Sequence, residues 1–292
     1  MTGWSPDMAK AEDRDSGTVA LHRIADALER LSPVPAPSAD LSSGPAFHWT
    51  GKAMQSIENF APLPLDMLSG IDDQKARLLE NSRRLANGFA AHDVMLWGAR
   101  GMGKSALVKS VVRVLQQDGA DLAMVEAGAD MLESLPELFA ILGKTGPEQK
   151  GRPFILFIDD IGFEEDSAAP RLLRSMLEGG AAQRPANVRL YVTSNRRHIV
   201  PRQMAEQDDP VNPRDVLDDK LALSDRFGLR MGFHVASQED YLAMIARYAD
   251  AYGLSFESED ALLWAQQRGS RSGRTAWQYV VELAGRAGKS LA

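Results

Sequence analysis

The octapeptide GARGMGKS, residues 98–105, constrains the fold of this chain more than any other segment. It fits the pattern G-x-x-x-x-G-K-[ST] and lies between an apolar stretch, DVMLW (93–97), and an amphipathic one, KSALVKSVVRVLQQ (104–117). Glycines in such a loop let backbone N–H groups converge on a phosphate at the start of a helix, where unpaired amides and the helix dipole favour an anion. The segment therefore predicts a strand, a phosphate-binding loop and a helix, in that order.

Four further apolar segments predict strands that belong to the same sheet. They are LAMVEA (122–127), FILFID (154–159), VRLYVTS (188–194) and LRMGFHV (229–235), and helical patterns such as APRLLRSMLEGG lie between most of them. Nearly continuous apolar strands that alternate with helices imply a parallel sheet covered on both faces. The chain is therefore predicted to contain an α/β domain, which we place at residues 47–235.

The strand signals stop after residue 236. The segment SQEDYLAMIARYADAYG opens with a capping box, Ser237 with Asp240. It also carries an aromatic and aliphatic stripe at helical spacing, formed by Tyr241, Ile245, Tyr248 and Tyr252. Two more helical patterns follow, so residues 236–292 are predicted to form a small C-terminal helical domain.

Residues 1–46 are polar and rich in proline and serine, with one helical island, TVALHRIADALERL. Its apolar residues, Leu21, Ile24, Leu28 and Leu31, share one face, and SPVPAPSADLSSGP after it is typical of an extended linker. Such a helix serves either for docking or self-association, or it packs back on its own domain. The sequence leaves both possibilities open.

Composition limits the functional classes. The 292 residues are 44% hydrophobic, and no stretch approaches the roughly 18 consecutive apolar residues of a membrane span. The N-terminus has no apolar run, so we expect neither a signal peptide nor a membrane and place the protein in the cytoplasm. The absence of cysteine excludes disulfides and thiolate sites. A net charge of −7 argues against a surface built throughout for nucleic acid, although a local basic patch is compatible with it.

Polar residues at the predicted strand ends supply the chemistry of a phosphate site. Lys104 would reach the β and γ phosphates of a nucleotide, and the Ser105 hydroxyl would bind Mg²⁺. Asp159 and Asp160 end a buried strand at the edge where open α/β sheets bind ligands. We expect Asp159 to hold Mg²⁺ through water and Asp160 to orient or deprotonate an attacking water. Asn195 ends the next strand and can donate to a γ-phosphate or to that water.

The order of these motifs resembles the AAA+ superfamily: GARGMGKS, FIDD, TSN, SDRFG and, within the helical region, RSGRTA. The segments GARGMGKSALVK, LEGG, TSNRRHIVP, KLALSDRFGL and RSGRTA are similar to a family of bacterial AAA+ ATP-binding proteins of unknown function, over roughly residues 47–284. The resemblance implies a P-loop NTPase (AAA+) core with a helical lid. It also implies an ATPase that uses ATP and Mg²⁺ and acts as a homo-oligomer on a macromolecular client. The net charge of −7 favours a protein over DNA as that client.

The resemblance also assigns roles to arginines. It makes Asn195 the sensor 1 residue, Arg226 the arginine finger that acts on a neighbouring subunit's ATP, and Arg274 the sensor 2 contact from the lid. Arg196 and Arg197 compete with Arg226 for the finger role and, together with Arg202, form the best local basic patch. The nucleotide itself would contact the phosphate loop and an adenine-lining segment: Gly98, Ala99, Arg100, Gly101, Met102, Gly103, Lys104, Ser105, Ala106, Leu68, Gly70 and Ile71.

The second acid of FIDD leaves three functions open. Asp160 stands where most such motors have glutamate, and its carboxylate is shorter by one methylene. A slow, assembly-dependent ATPase that remodels or loads a partner is the leading interpretation. A nucleotide-gated binding module with little hydrolysis and a DNA-acting initiator or loader are the alternatives. The acidic segment 205–219 is interpreted as a solvated loop, with a client-contacting insertion as the sharper hypothesis.

Overall fold

Seven strands of the computed structural model form one sheet, in the order β2-β1-β4-β5-β6-β3-β7. Their bounds are β1 Ala46–Trp49, β2 Met54–Ser56, β3 Val94–Gly98, β4 Ala123–Ala127, β5 Phe154–Ile158, β6 Val188–Ser194 and β7 Leu229–Phe233. All neighbouring pairs are parallel except β1 with β2. The predicted α/β fold with a parallel sheet is confirmed, and all five predicted strands are present.

The antiparallel hairpin of β1 and β2 was not predicted. Its strands are four and three residues long, and polar His48 and Gln55 face each other across the pair. Strands this short give too few alternating positions for a period of two to be recognised. The hairpin extends the sheet beyond β4, because β1 pairs with that strand in parallel.

Helices cover both faces of the sheet and form the C-terminal region. Those of the described residues are α1 Asp72–Ala86, α2 Lys104–Gln117, α3 Leu135–Leu142, α4 Ala169–Leu177, α5 Gln238–Ala251, α6 Ser258–Gln267 and α7 Gly273–Arg286. β5 is buried at every position, as expected for a central strand between two layers. Alternate residues of β3 enter opposite cores: Val94 and Leu96 join one cluster, and Met95 joins the other.

The predicted lid helix α5 begins with the expected capping box. The Asp240 backbone N–H donates to Ser237 Oγ at 3.0 Å, and the Ser237 N–H donates to Asp240 Oδ2 at 3.2 Å. Tyr241 and Ile245 of its stripe are fully buried. In the part of the chain that the structure describes, no helix has both the length and the apolar character to cross a membrane.

The structure describes residues 22–24, 38–144, 151–162, 169–177, 184–195, 223 and 225–291. By its contacts the chain divides into two units, residues 1–38 and 39–292. In the first unit, residues 22–24 are helical, and the remainder of the predicted helix lies outside the described residues. The strands and helices above all belong to the second unit.

Two buried tyrosines make a matched test of hydrogen bonding in this unit. Both Tyr191 and Tyr241 are 0% exposed. The Tyr191 hydroxyl accepts from Asn81 Nδ2 at 3.0 Å and lies 2.8 Å from Ser82 Oγ, whereas the Tyr241 hydroxyl has no hydrogen-bond partner among the described residues.

We expect Tyr191→Phe to lower the free energy of unfolding by about 1–3 kcal/mol, because Ser82 Oγ loses its hydrogen-bond partner and Asn81 Nδ2 loses one of its two. Tyr241→Phe removes a hydroxyl that makes no such bond, so it should leave that free energy unchanged or raise it. Chemical denaturation of both variants beside the wild type measures the difference. Equal effects of the two substitutions would contradict the prediction.

Candidate nucleotide-binding site

The loop between β3 and α2 has the backbone that a phosphate cradle needs. Gly98, Gly101 and Gly103 have φ angles of 126°, 77° and 86°, in the region that favours glycine. A Cβ atom on Gly98 would lie 2.1 Å from the carbonyl oxygen of Phe233, so this position cannot carry a side chain without movement of β7. The same carbonyl accepts from the Ala99 N–H at 2.8 Å, which fixes the start of the loop against β7.

Lys104, the first residue of α2, directs its ammonium group back into the loop. Its Nζ donates to Gly98 O at 3.1 Å, to Ala99 O at 2.8 Å and to Asn195 Oδ1 at 2.8 Å. The residue is only 4% exposed. Burial lowers the pKa of Lys104, and the nearby carboxylates of Asp160 and Asp159 oppose that shift by favouring the charged form.

Ser105 and Asp159 meet directly beside this lysine. Ser105 Oγ donates to Asp159 Oδ1 at 2.6 Å, and Thr193 Oγ1 donates to the same oxygen at 2.5 Å. Hydroxyl and carboxylate oxygens next to phosphate oxygens are the ligands that Mg²⁺ prefers, and Mg²⁺ keeps several waters in such sites. The two side chains therefore fit the metal expected from the sequence. Among the described residues, no group of three or more aspartate, glutamate or histidine side chains is arranged to hold a metal.

Asp160 follows with an unusual backbone. Its φ of 54° makes it the one non-glycine residue of the described ranges with a positive φ. Its side chain is exposed at the pocket, and its Oδ1 accepts from Asn195 Nδ2 at 2.6 Å. The Asn195 amide therefore bridges Lys104 through its oxygen and Asp160 through its nitrogen.

These residues line a cavity of about 380 Å³. Its polar lining contains Lys104, Ser105, Asp159, Asp160 and Asn195, and its apolar lining is formed by Leu63, Met67, Leu68, Ile71, Met244, Tyr248 and Trp277. The volume lies in the usual range for small-ligand sites, about 300–1,000 Å³. Anion-binding groups together with aromatic and aliphatic walls match a nucleotide, with its phosphates and its planar base.

The C-terminal helices line one side of this cavity, and the start of α7 contacts the phosphate loop. The Arg274 backbone N–H donates to Gly101 O at 3.2 Å. A Cβ atom on Gly101 would lie 2.9 Å from Ser272 Oγ, which caps the start of α7 by accepting from the Thr275 N–H at 3.2 Å. Arg274 itself is exposed and lines the cavity.

Most of the residues predicted from the sequence for nucleotide and metal come together here. The cavity is lined by Arg100, Gly101, Met102, Gly103, Lys104, Ser105, Ala106, Leu68, Ile71, Asp159, Asp160, Asn195 and Arg274. Gly98 and Ala99 lie behind it, where their carbonyls accept from Lys104. Gly70 is placed against Asp240 of the lid, since a Cβ atom there would lie 3.7 Å from Asp240 Oδ1.

Arg226, the predicted arginine finger, lies away from the cavity. Arg226 precedes β7, which is parallel to β3 with Leu229 opposite Val94, so Arg226 lies at the amino edge of the sheet. A five-residue strand, about 16 Å long, separates that edge from the phosphate loop, and Arg226 is not among the residues that line the cavity. Arg196, Arg197, Arg202 and the segment 205–219 lie outside the described residues.

Among the cavity and network residues that were not predicted to act at the site are Thr193, Met244, Tyr248 and Trp277. Trp277 lies three residues after Arg274 on α7, so helical spacing alone places it on the same face. Met244 and Tyr248 are four residues apart on α5 and share a face in the same way. Thr193 precedes Asn195 by two positions, and Asn195 directly follows the last residue of β6, Ser194.

Comparisons with known proteins agree with this fold. Residues 42–287 match the model of a family described as "Protein of unknown function (DUF815)". RuvB of Thermotoga maritima, in the form of a point variant, aligns with a TM-score of 0.51 and 20% identity over 79% of this chain and 68% of its own. The Orc1 protein of Aeropyrum pernix, in complex with DNA, aligns with a TM-score of 0.51 and 16% identity over 79% of this chain and 66% of its own. At these identities the likeness shows the fold, and no curated protein matches the sequence.

The lowered pKa of Lys104 predicts a pH dependence of nucleotide affinity. Because the pKa of Lys104 lies below the ordinary 10.5, its ammonium loses its proton at a lower pH than an ordinary lysine does. As the pH rises, affinity for ATP should therefore begin to fall at a lower pH than the titration of an ordinary lysine would give.

Lys104→Arg is the matched control, because a guanidinium keeps its charge over the whole range. Its ATP affinity should be weaker, owing to altered geometry, but independent of pH. Equilibrium binding to both proteins, over the range in which circular dichroism shows them folded, measures the two profiles. Parallel profiles would contradict the assignment of Lys104 as the titrating group.

Proposed function

We propose an ATP-dependent function for this chain, which belongs to the DUF815 family and has the fold of the AAA+ P-loop ATPases. The protein binds ATP with Mg²⁺, hydrolyses it slowly and acts as a homo-oligomer in the cytoplasm on a macromolecular client. One observation carries this proposal. Lys104, Ser105, Asp159 and Asn195 line a cavity whose remaining lining includes the apolar and aromatic residues Met244, Tyr248 and Trp277.

The polar lining of the cavity binds the phosphates of the nucleotide, and the apolar lining binds its base. The Lys104 ammonium and the loop amides bind the phosphates, and Ser105 and Asp159 hold the Mg²⁺ that shields their charge. The base packs against Trp277 and Tyr248, whose rings lie in edge contact with centroids 5.1 Å apart. Arg274 reaches the phosphates from the lid, so that lid position and nucleotide state depend on each other.

The contact between Asn195 and Asp160 supports slow turnover. A γ-phosphate or an attacking water that uses the Asn195 amide must replace its 2.6 Å bond to Asp160. Lys104 likewise has all three N–H donors directed at protein oxygens and must redirect at least one to a phosphate. Both rearrangements must occur before hydrolysis, and each adds to the free-energy barrier of hydrolysis.

The placement of Arg226 supports assembly. It lies at the sheet edge opposite its own phosphate loop, so it can reach a γ-phosphate only in another subunit. Guanidinium groups supplied by a neighbour stabilise the charge that develops on the transferred phosphoryl group. The net charge of −7 favours a protein client over DNA, whose phosphates attract basic surfaces.

Arg226→Ala separates the finger role from general effects of charge. At concentrations that support assembly, its ATPase rate should fall to background, because a finger contributes about 10³-fold or more. The wild-type rate per subunit should rise with protein concentration. Arg77→Ala, which removes an exposed arginine paired with Asp73 on α1, is the control and should retain activity.

A wild-type rate per subunit that is independent of concentration, together with full activity of Arg226→Ala, would overturn the oligomeric part of the proposal. Sedimentation with and without ATP shows whether loss of activity in Arg226→Ala arises from failed assembly or from a failed chemical step in an intact assembly.

Trp277 should report directly on the base. Trp277 belongs to the apolar lining of the cavity, so ATP should change the fluorescence of Trp277. Trp277→Phe should abolish that change. Trp264→Phe is the control, since Trp264 packs against Tyr279 and Arg268 of the lid and does not line the cavity. Loss of the signal in Trp264→Phe with its retention in Trp277→Phe would place the base elsewhere.

A nucleotide-gated binding module is the second candidate, and the bond between Asp160 and Asn195 favours it. If Asp160 serves only to hold Asn195, Asp160→Asn, which can still hydrogen-bond, should hydrolyse ATP in a single turnover as fast as the wild type. If Asp160 acts on water, both Asp160→Asn and Asp160→Ala should be slow. The comparison of these single-turnover rates distinguishes an ATPase from a binding module.

A further inference from the structure

The hydroxyl of Thr193 lies between the two acids of the candidate site. Thr193 is 1% exposed, and its Oγ1 donates to Asp159 Oδ1 at 2.5 Å. The same oxygen accepts from the Asp160 backbone N–H at 2.8 Å. One residue further on, the Ile161 N–H donates to the Thr193 carbonyl at 2.8 Å. Thr193 therefore contacts each of the three residues that follow β5.

The chemistry of a hydroxyl makes this arrangement directional. It carries one proton, which is committed to Asp159, and it has lone pairs, one of which receives the Asp160 N–H. The β-branched side chain restricts the rotation that would otherwise let the hydroxyl turn away. Few other side chains could both donate to a carboxylate and accept from a backbone amide in the space of one buried residue.

The contact between Thr193 and Asp160 matters because the Asp160 backbone has an uncommon conformation. A φ of 54° is uncommon for a residue with a side chain, and such conformations persist when surrounding contacts hold them. The Thr193 hydroxyl and carbonyl bind the amides on both sides of the Asp160 α-carbon. They hold the turn that directs the Asp160 carboxylate toward Asn195, at 2.6 Å.

We infer that Thr193 is a positioning residue that couples metal binding to turnover, because it orients Asp159 toward Mg²⁺ and Asp160 toward the γ-phosphate. The inference rests on the proposed ATP-dependent function and deepens it. Asp159 is the residue that Ser105 also contacts, so a change at Thr193 alters the position of a metal ligand without removing one. Partners of metal ligands of this kind typically contribute about 10- to 100-fold to metal affinity or activity.

Thr193→Val tests the hydroxyl, because it keeps the branched shape and removes both hydrogen bonds. The Mg²⁺ concentration for half-maximal enhancement of nucleotide binding should rise about 10-fold or more. The single-turnover rate at saturating ATP and Mg²⁺ should also fall, while affinity for ATP without Mg²⁺ should stay at the wild-type value. Thr193→Ser, which retains the hydroxyl, should remain close to wild type in all three measurements.

Thr50→Val is the matched control. The Thr50 hydroxyl donates to Ala53 O at 3.0 Å and accepts from the Ala53 N–H at 3.1 Å, so it plays the same double role in the β1–β2 turn. Its loss should leave Mg²⁺ dependence and turnover unchanged. Thr193→Ala is measured beside Thr193→Val, because it removes the hydroxyl without adding a second methyl group, and it should show the same shift in Mg²⁺ dependence.

The outcomes separate this inference from the function on which it rests. Wild-type Mg²⁺ dependence in Thr193→Val and Thr193→Ala, or a Thr193→Ser as defective as they are, would overturn the role of the hydroxyl. A wild type that binds nucleotide with Mg²⁺ but does not hydrolyse it would overturn the proposed ATPase and the effect of Thr193 on turnover, whereas the Mg²⁺ titration would still test the role of Thr193 in metal binding. A wild type that binds no nucleotide would overturn both.

Discussion

The ammonium group of Lys104 imposes the strictest physical condition on this structure. A buried charge is tolerated in a protein interior when nearby groups replace the water it has lost. Here the replacement comes from the carbonyls of Gly98 and Ala99 and from the Asn195 amide, which belong to the phosphate loop and to the end of β6. The loop must therefore curl back over the lysine, and β6 must lie beside β3.

The same condition links the lysine to both acids. Because Asn195 accepts from Lys104, its amide nitrogen is turned toward Asp160, and Thr193 joins Asp160 to Asp159 and Ser105. These hydrogen bonds lie along the carboxyl edge of β5 and β6, and the link between Asp160 and Thr193 passes through the Asp160 backbone N–H. A ligand that takes a bond from Lys104 or Asn195 must therefore displace a partner within this network.

The start of α7 packs against the loop that surrounds this lysine. Gly101 accepts from the Arg274 N–H, and the space beside its α-carbon is filled by Ser272. Phosphates bound in the loop would lie next to the helix that carries Arg274 and Trp277, so the two ends of a nucleotide would contact core and lid together. Phosphate binding in the loop and the position of α7 can be coupled without intermediate residues, because the loop and α7 share a backbone hydrogen bond.

Much of this arrangement could be predicted from the sequence, and the limits have physical causes. Buried parallel strands such as β5 are apolar at every position, and the phosphate loop requires glycine where φ is positive, so both leave strong local signals. The roles of Thr193 and Trp277 depend on which strands and helices become neighbours. The identity of a single residue in a strand or helix does not indicate which elements will pack beside it. The β1–β2 hairpin was missed because its strands are too short to show a period.

We propose that this cavity binds ATP through the buried lysine and a metal. Isothermal titration of the intact chain with ATP, in the presence and in the absence of Mg²⁺, tests it most directly. We predict one ATP per chain, tighter binding with Mg²⁺, and loss of binding in Lys104→Met, which keeps the length of the side chain and removes its charge. Equal binding of ATP by the wild type and Lys104→Met, or no binding by the wild type, would contradict it.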